Sequence, residues 1–156
     1  DEAMQGQEIV IEAMIPRDAE PTNFIAASTH NIIKAMHANR VWRLVILSEV
    51  GAAGSLHQGP LIYRLWMWLR QMKSGYSLTE RTIREAFVQK SGLEWTIVRS
   101  VIIKSSSSFN GDPDISFSVK KTLRRPSIAG VSLAAFLLHT AVEHTFINKI
   151  IGISDK

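Results

Sequence analysis

The chain has 156 residues, 46% hydrophobic and 21% charged, with a formal net charge of +4. That composition suits one globular domain and excludes a disordered chain. It holds no cysteine, which excludes disulfides, thiolate catalysis and Cys-ligated metal.

Ile9-Val10-Ile11 is a short apolar run that predicts a buried strand. Pro21-Thr22-Asn23 supplies helix-start chemistry, and Phe24, Ala27, Ile32, Ala35 and Met36 follow a helical face up to Asn39-Arg40, where Asn suits a left-handed end. Leu44 to Leu47 is a second continuous apolar run, the pattern of a strand buried on both faces of a parallel sheet. A loop follows at Gly51, Gly54 and Gly59-Pro60. Leu61, Leu65, Trp68, Leu69 and Met72 then keep helical spacing. This helix is rich in Trp and Met and is expected to pack into the core, although Trp66 and Trp68 cannot share one narrow face. Ser77 to Lys90 predicts another helix, capped by Ser77 or Thr79, with Ile83, Ala86 and Phe87 on its inner face.

Trp95 to Val98 makes a third strand, and the serine-rich stretch from Ser105 to Pro113 reads as a loop. Ile115, Phe117 and Val119 alternate with serines, which predicts a strand with one wet face. Ser132 is placed as the cap of an apolar helix from Leu133 to Glu143, and Ile150 to Ile153 closes the chain as a strand. This alternation of strands and helices argues for a three-layer α/β fold with right-handed crossovers, in a single domain spanning 1–156.

Few other signals compete. Lys120, Lys121, Arg124 and Arg125 form the densest basic run, but no nucleic-acid motif accompanies it, and a solvated strand end explains it. The five histidines show no metal-ligand spacing. Apolar stretches are too often broken by Arg, Lys or His to span a bilayer, and Asp1-Glu2-Ala3-Met4 does not resemble a signal peptide. A soluble, cytoplasmic protein is expected, with no nucleic-acid or membrane partner.

Four phrases resemble the atypical short-chain dehydrogenase/reductases, the group of NAD(P)H-binding, NmrA-like and flavin/biliverdin-reductase-like proteins. They are MQGQEIVIEAM (Met4 to Met14), STHNIIKAMHANRVWRLVILSEVGA (Ser28 to Ala52), SGLEWTIVRS (Ser91 to Ser100) and SIAGVSLAAFLL (Ser127 to Leu138). They occur in family order across nearly the whole chain. The resemblance implies a Rossmann-like, mostly parallel sheet. It also implies that the family's first strands, with their Gly-rich phosphate-binding turn, are not among these residues, so the fold is expected to be truncated on its amino-terminal side. The only imitation is Gly51-Ala52-Ala53-Gly54, which sits at a different turn and lacks the third glycine. NAD or NADP is the implied cofactor, held poorly by this chain alone.

The resemblance also places the site. Ser48 matches the family's active-site serine, although a serine that merely ends a strand is an equal reading. Ala13, Met14, Ile15, Leu47, Ser48, Arg99, Ser100 and Val101 correspond to the cofactor-lining strand ends. The family's Tyr-x-x-x-Lys pair is not intact: Arg81 stands about where the lysine would be, Ser77 opposite the tyrosine, and Tyr76 is the nearest phenol for an acid. Arginine keeps the charge but is no proton relay. Ile15 replaces a glycine that admits the cofactor, and Ser100 replaces a proline. Glu85 lies where an acidic residue is common and is expected to support the cleft. The implied activity is hydride transfer to a small organic acceptor once the Gly-rich part is supplied. The alternative is a non-catalytic sensor or protein-interaction module that keeps the fold. A homodimer or the missing amino-terminal segment is the expected macromolecular partner, because the first strand would otherwise expose an unpaired edge.

Overall fold

The computed structural model describes residues 2–14, 24–65, 69, 78–105, 111–124 and 126–155. In chain order its elements are β1 (Ile9–Glu12), α1 (Phe24–Ala38), β2 (Arg43–Ala53), α2 (Leu78–Gln89), β3 (Glu94–Ser100), β4 (Ile102–Lys104), β5 (Asp114–Ser116), α3 (Val119–Thr122), β6 (Ser127–Ala129), α4 (Gly130–Val142) and β7 (Lys149–Ser154). One sheet has the order β1-β2-β3-β7-β5. Its first four strands are parallel, and β5 runs antiparallel to β7. A small parallel pair, β4 with β6, sits apart.

The apolar runs explain this order. Leu44, Val45 and Ile46 in β2 and Ile97 and Val98 in β3 are fully buried, as strands covered on both faces require. Leu44, Ile46 and Ile97 meet Ile33 and Met36 of α1 and Val88 of α2. Val45, Leu47, Val98 and Ile151 meet Leu133, Phe136 and Leu137 of α4. Each fully buried aliphatic side chain contributes about 2 kcal/mol, so these two layers account for the sandwich of helices around the sheet.

The amino ends of the strands are clamped by Arg43, which is 1% exposed. Its guanidinium donates to the carbonyls of Glu94 at 2.9 Å, Thr140 at 2.8 Å and Thr145 at 2.9 Å. The bonds join β2 and β3 to the end of α4, whose last carbonyls lack helical partners. Burial pulls the Arg43 pKa down, opposed by the charge of Glu94.

The structure revises several sequence expectations. On α2 the inner face carries Glu80, Arg81, Arg84 and Glu85, while Ile83 and Phe87 are exposed at 43% and 37%. The buried face of that helix combines these charges with Val88. Leu61, Leu65 and Leu69 are also exposed, so the expected core-packed helix turns these residues outward; residues 61–65 are helical, whereas Trp66 and Trp68 lie outside the described residues. The strand expected over Ile115 to Val119 is shorter, because after Ser116 the chain turns and Val119 opens α3, leaving Phe117 exposed. Helix α4 starts at Gly130 with Ala129 at the cap, so Ser132 lies inside its first turn. At the end of α1 the left-handed residue is Arg40, with φ 58°, and the Asn39 side chain instead donates to the Ala35 carbonyl at 2.8 Å.

At Gly152 in β7, a Cβ would overlap Thr122 Oγ1 of α3. The close approach of α3 to the sheet therefore depends on a missing side chain. Gly152→Ala is expected to destabilise the chain by about 1–3 kcal/mol. In a urea double-mutant cycle, adding Thr122→Ala should recover part of that loss.

Candidate functional site

The carboxyl ends of β1, β2 and β3 lie under α2. Residues 80, 81, 84 and 85 share one side of a helix, and here that side is charged and buried. Glu80 Oε1 accepts the backbone N–H groups of Ile25 at 2.6 Å and Ala26 at 3.2 Å, in the first turn of α1. A carboxylate there satisfies free donors and complements the helix dipole. Arg81 pairs with Glu49 at 3.1 Å.

Arg84 bridges the end of β1 and the middle of β2. Its Nη1 faces Glu12 Oε1 at 3.4 Å, and its Nη2 donates to the carbonyl of Leu47. Thr29 of α1 donates to the same Glu12 oxygen at 2.7 Å. Glu12 is 3% exposed and Arg84 2%. Glu12 Oε2 and Arg84 Nε are buried without a hydrogen-bond partner among the described residues. Burial raises the Glu12 pKa, with Arg84 and the Thr29 hydroxyl opposing the shift. Burial likewise lowers that of Arg84, opposed most strongly by Glu12. Desolvation thus outweighs pairing at both members of this pair.

The third contact set is the best satisfied. Arg99 donates to Glu85 Oε1 through Nε at 3.1 Å and to Oε2 through Nη2 at 2.5 Å. Ser48 Oγ donates to Glu85 Oε1 at 2.6 Å. Ser48 and Arg99 are register partners in adjacent strands, which is why one carboxylate from α2 reaches both.

Among the sequence-predicted site residues, the structure therefore gathers Ser48, Arg81 and Arg99 beneath α2. Ser100 is buried at the end of β3, opposite Glu49. Leu47 turns its side chain into the α4 core and offers only its carbonyl to this group. Ala13 and Met14 follow β1, exposed and half-buried respectively. Val101 packs with Val50, Val119, Leu123 and Tyr63. Ile15, Tyr76 and Ser77 lie outside the described residues. Glu12 and Arg84 were not singled out from sequence; the one available signal was a carboxylate ending the apolar run of β1.

The backbone amides beside the cluster are bonded within the chain. Gly51 to Ala53 continue β2 and do not form the loop expected at Gly51; there the Gly51 N–H donates to Ser55 Oγ at 2.9 Å and the Ala53 N–H to Thr82 Oγ1 at 2.8 Å. The first amides of α1 are occupied by Glu80. Neither place offers those N–H groups to a phosphate. Among the described residues no group of three or more His, Asp or Glu side chains is placed to hold a metal ion, and no helix is long and apolar enough to cross a membrane.

With this geometry in view, the comparisons place the chain. A sequence model of the NAD(P)H-binding family matches residues 1–144, and the chain belongs to that family. No curated protein sequence matches it. Its fold is similar to a short-chain dehydrogenase/reductase of Veillonella parvula solved with NADP, at 18% identity and TM-score 0.72, covering 99% of this chain and 65% of that one. It is also similar to ChuY, an anaerobilin reductase of Escherichia coli O157:H7, at 11% identity and TM-score 0.71, covering 95% and 65%. A Rossmann-fold NAD(P)-binding protein of Shigella flexneri gives 21% identity and TM-score 0.67, covering 99% and 63%. The chain thus spans just under two thirds of the length of these neighbours, and the α/β Rossmann-like fold with its mostly parallel sheet is shared.

A carboxyl whose pKa is raised on folding adds stability at acid pH that is lost as pH climbs through the raised value. Glu12 is such a group. The stability of Glu12→Gln relative to the native chain should therefore improve as pH rises above the ordinary carboxylate range, as read from urea midpoints across acid to neutral pH.

Proposed function

We propose that the chain forms the nicotinamide and substrate side of an NAD(P)(H)-dependent reductase of the atypical short-chain type, close to the NmrA-like and biliverdin-reductase-like members. In this reading it acts in the cytoplasm on a small organic acceptor. The observation that carries the proposal is the cluster of Ser48, Glu85 and Arg99 near the carboxyl end of the paired β2–β3 ladder, the side on which ligands of open α/β sheets bind. The nearby amides suited to phosphate are spent internally, so the pyrophosphate needs a Gly-rich strand-to-helix turn that the 156 residues do not contain. That unit pairs with the outer edge of β1, where Ile11 is 37% exposed, as part of a longer polypeptide or as a separate partner.

The cofactor, once bound, supplies the hydride. The chain's own residues have other tasks. Ala13 and Met14 form the backbone ledge at the end of β1, and Arg84 ties that strand tip to β2. Ser48 and Ser100 stand near the end of the β2–β3 ladder, and Arg81, paired with Glu49, stands where the resemblance puts the ribose side. Tyr76 remains the candidate phenolic acid.

One observation favours a second reading, a non-catalytic sensor or interaction module. Arg81, at the position that resembles the family's lysine, is engaged by Glu49, and arginine is unsuited to tune a phenol by losing a proton.

An NADPH titration followed by energy transfer from tryptophan separates these readings. The chain joined to a preceding Gly-rich segment should bind NADPH, and the 156-residue chain should bind it much more weakly. Absence of binding by the longer polypeptide would remove the reductase proposal and leave the second.

A further inference from the structure

The proton on Ser48 is already committed. Arginine has N–H donors and no acceptor, so both contacts from Arg99 to Glu85 use the carboxylate as acceptor. A carboxylate in that bidentate pair has no hydrogen to give. The 2.6 Å contact between Ser48 Oγ and Glu85 Oε1 must therefore be made with the serine's own hydrogen. Glu85 is 0% exposed and Ser48 5%, so no bulk water stands ready to replace this bond. Turning the hydroxyl away would forfeit a charge-assisted hydrogen bond in a dry site. Nor is Ser48 an activated nucleophile, since Arg99 neutralises the only carboxylate bonded to it among the described residues.

We propose that Ser48 acts in the cleft as a hydrogen-bond acceptor, so the ligand group it selects is an N–H donor, the primary carboxamide of the nicotinamide, and not a substrate carbonyl. This assignment rests on the nicotinamide-cofactor reading above. It reverses the role that resemblance gives to this serine. A carbonyl oxygen brought to Ser48 Oγ would set lone pair against lone pair, whereas a carboxamide N–H completes the hydroxyl's bonding and leaves Glu85 undisturbed. Glu85 and Arg99 are then positioning residues, which act on the ligand only by fixing which way the hydroxyl points.

The test compares NADPH with its reduced 3-acetylpyridine analogue, which keeps the carbonyl oxygen and lacks the amide N–H, on the chain joined to its Gly-rich segment. The native protein should bind NADPH about tenfold more tightly. Ser48→Ala should bring the two dinucleotides to near-equal affinity, and Ser48→Thr, which keeps the hydroxyl, should retain the preference. Thermal melts of each variant separate loss of fold from loss of selectivity, and the native comparison stands even where Ser48→Ala does not fold. Equal affinities in the native protein, or a preference untouched in folded Ser48→Ala, would overturn the acceptor assignment while leaving cofactor binding intact. Failure of the native protein to bind either dinucleotide would instead overturn the cofactor reading, and with it the ligand assigned to Ser48.

Discussion

The site depends on one constraint, the burial of charge between α2 and the tips of the parallel strands. Glu80 fixes the start of α1, Arg84 bridges β1 and β2, and Glu85 joins β2 to β3 through Ser48 and Arg99. Removing water from these groups is costly, and only mutual pairing offsets the cost. The geometry is correspondingly specific. A rotation or slide of α2 by one residue would leave several charges buried without partners. An apolar seam would tolerate such a slip far better.

The two ends of the sheet hold buried charge in different ways. At the amino ends, Arg43 donates to three carbonyls, and its Nε is buried without a hydrogen-bond partner among the described residues. At the carboxyl ends the polar groups face one another across α2, and the Glu12–Arg84 pair is incompletely satisfied. Unsatisfied buried groups cost stability and occur here at both ends of the sheet, whereas the carboxyl end is the side on which ligands of open α/β sheets bind. Membership of the NAD(P)H-binding family fits that placement. The same strand tips that carry the ion pairs carry Ala13, Ser48 and Ser100.

Much of the fold was legible in the sequence because burial on two faces leaves an unmistakable mark. Leu44 to Leu47 and Trp95 to Val98 read as inner parallel strands, and they are. The helix after β1 and the final strand were equally plain. Helix α2 misled, since apolar periodicity assigns Ile83 and Phe87 inward and cannot anticipate that paired Arg and Glu side chains take the interior. Ser48, Arg81 and Arg99 were found only through resemblance to a family. Glu85 was noticed for its position, but its bond to Ser48 depends on strand register, which spacing within one segment does not encode. Glu12 and Arg84 are 72 residues apart, and nothing local announces the pair.

The central claim is that α2 depends more on its buried ion pairs than on the partly exposed Ile83 and Phe87. Equilibrium unfolding in urea of single substitutions on this helix tests it most directly. Arg84→Met should cost about 3–5 kcal/mol, because it leaves Glu12 buried without its cation. Ile83→Ala and Phe87→Ala should each cost less, about 1–2 kcal/mol, as expected for side chains that are only partly buried. The reverse ranking, with the apolar substitutions the more damaging, would contradict the account.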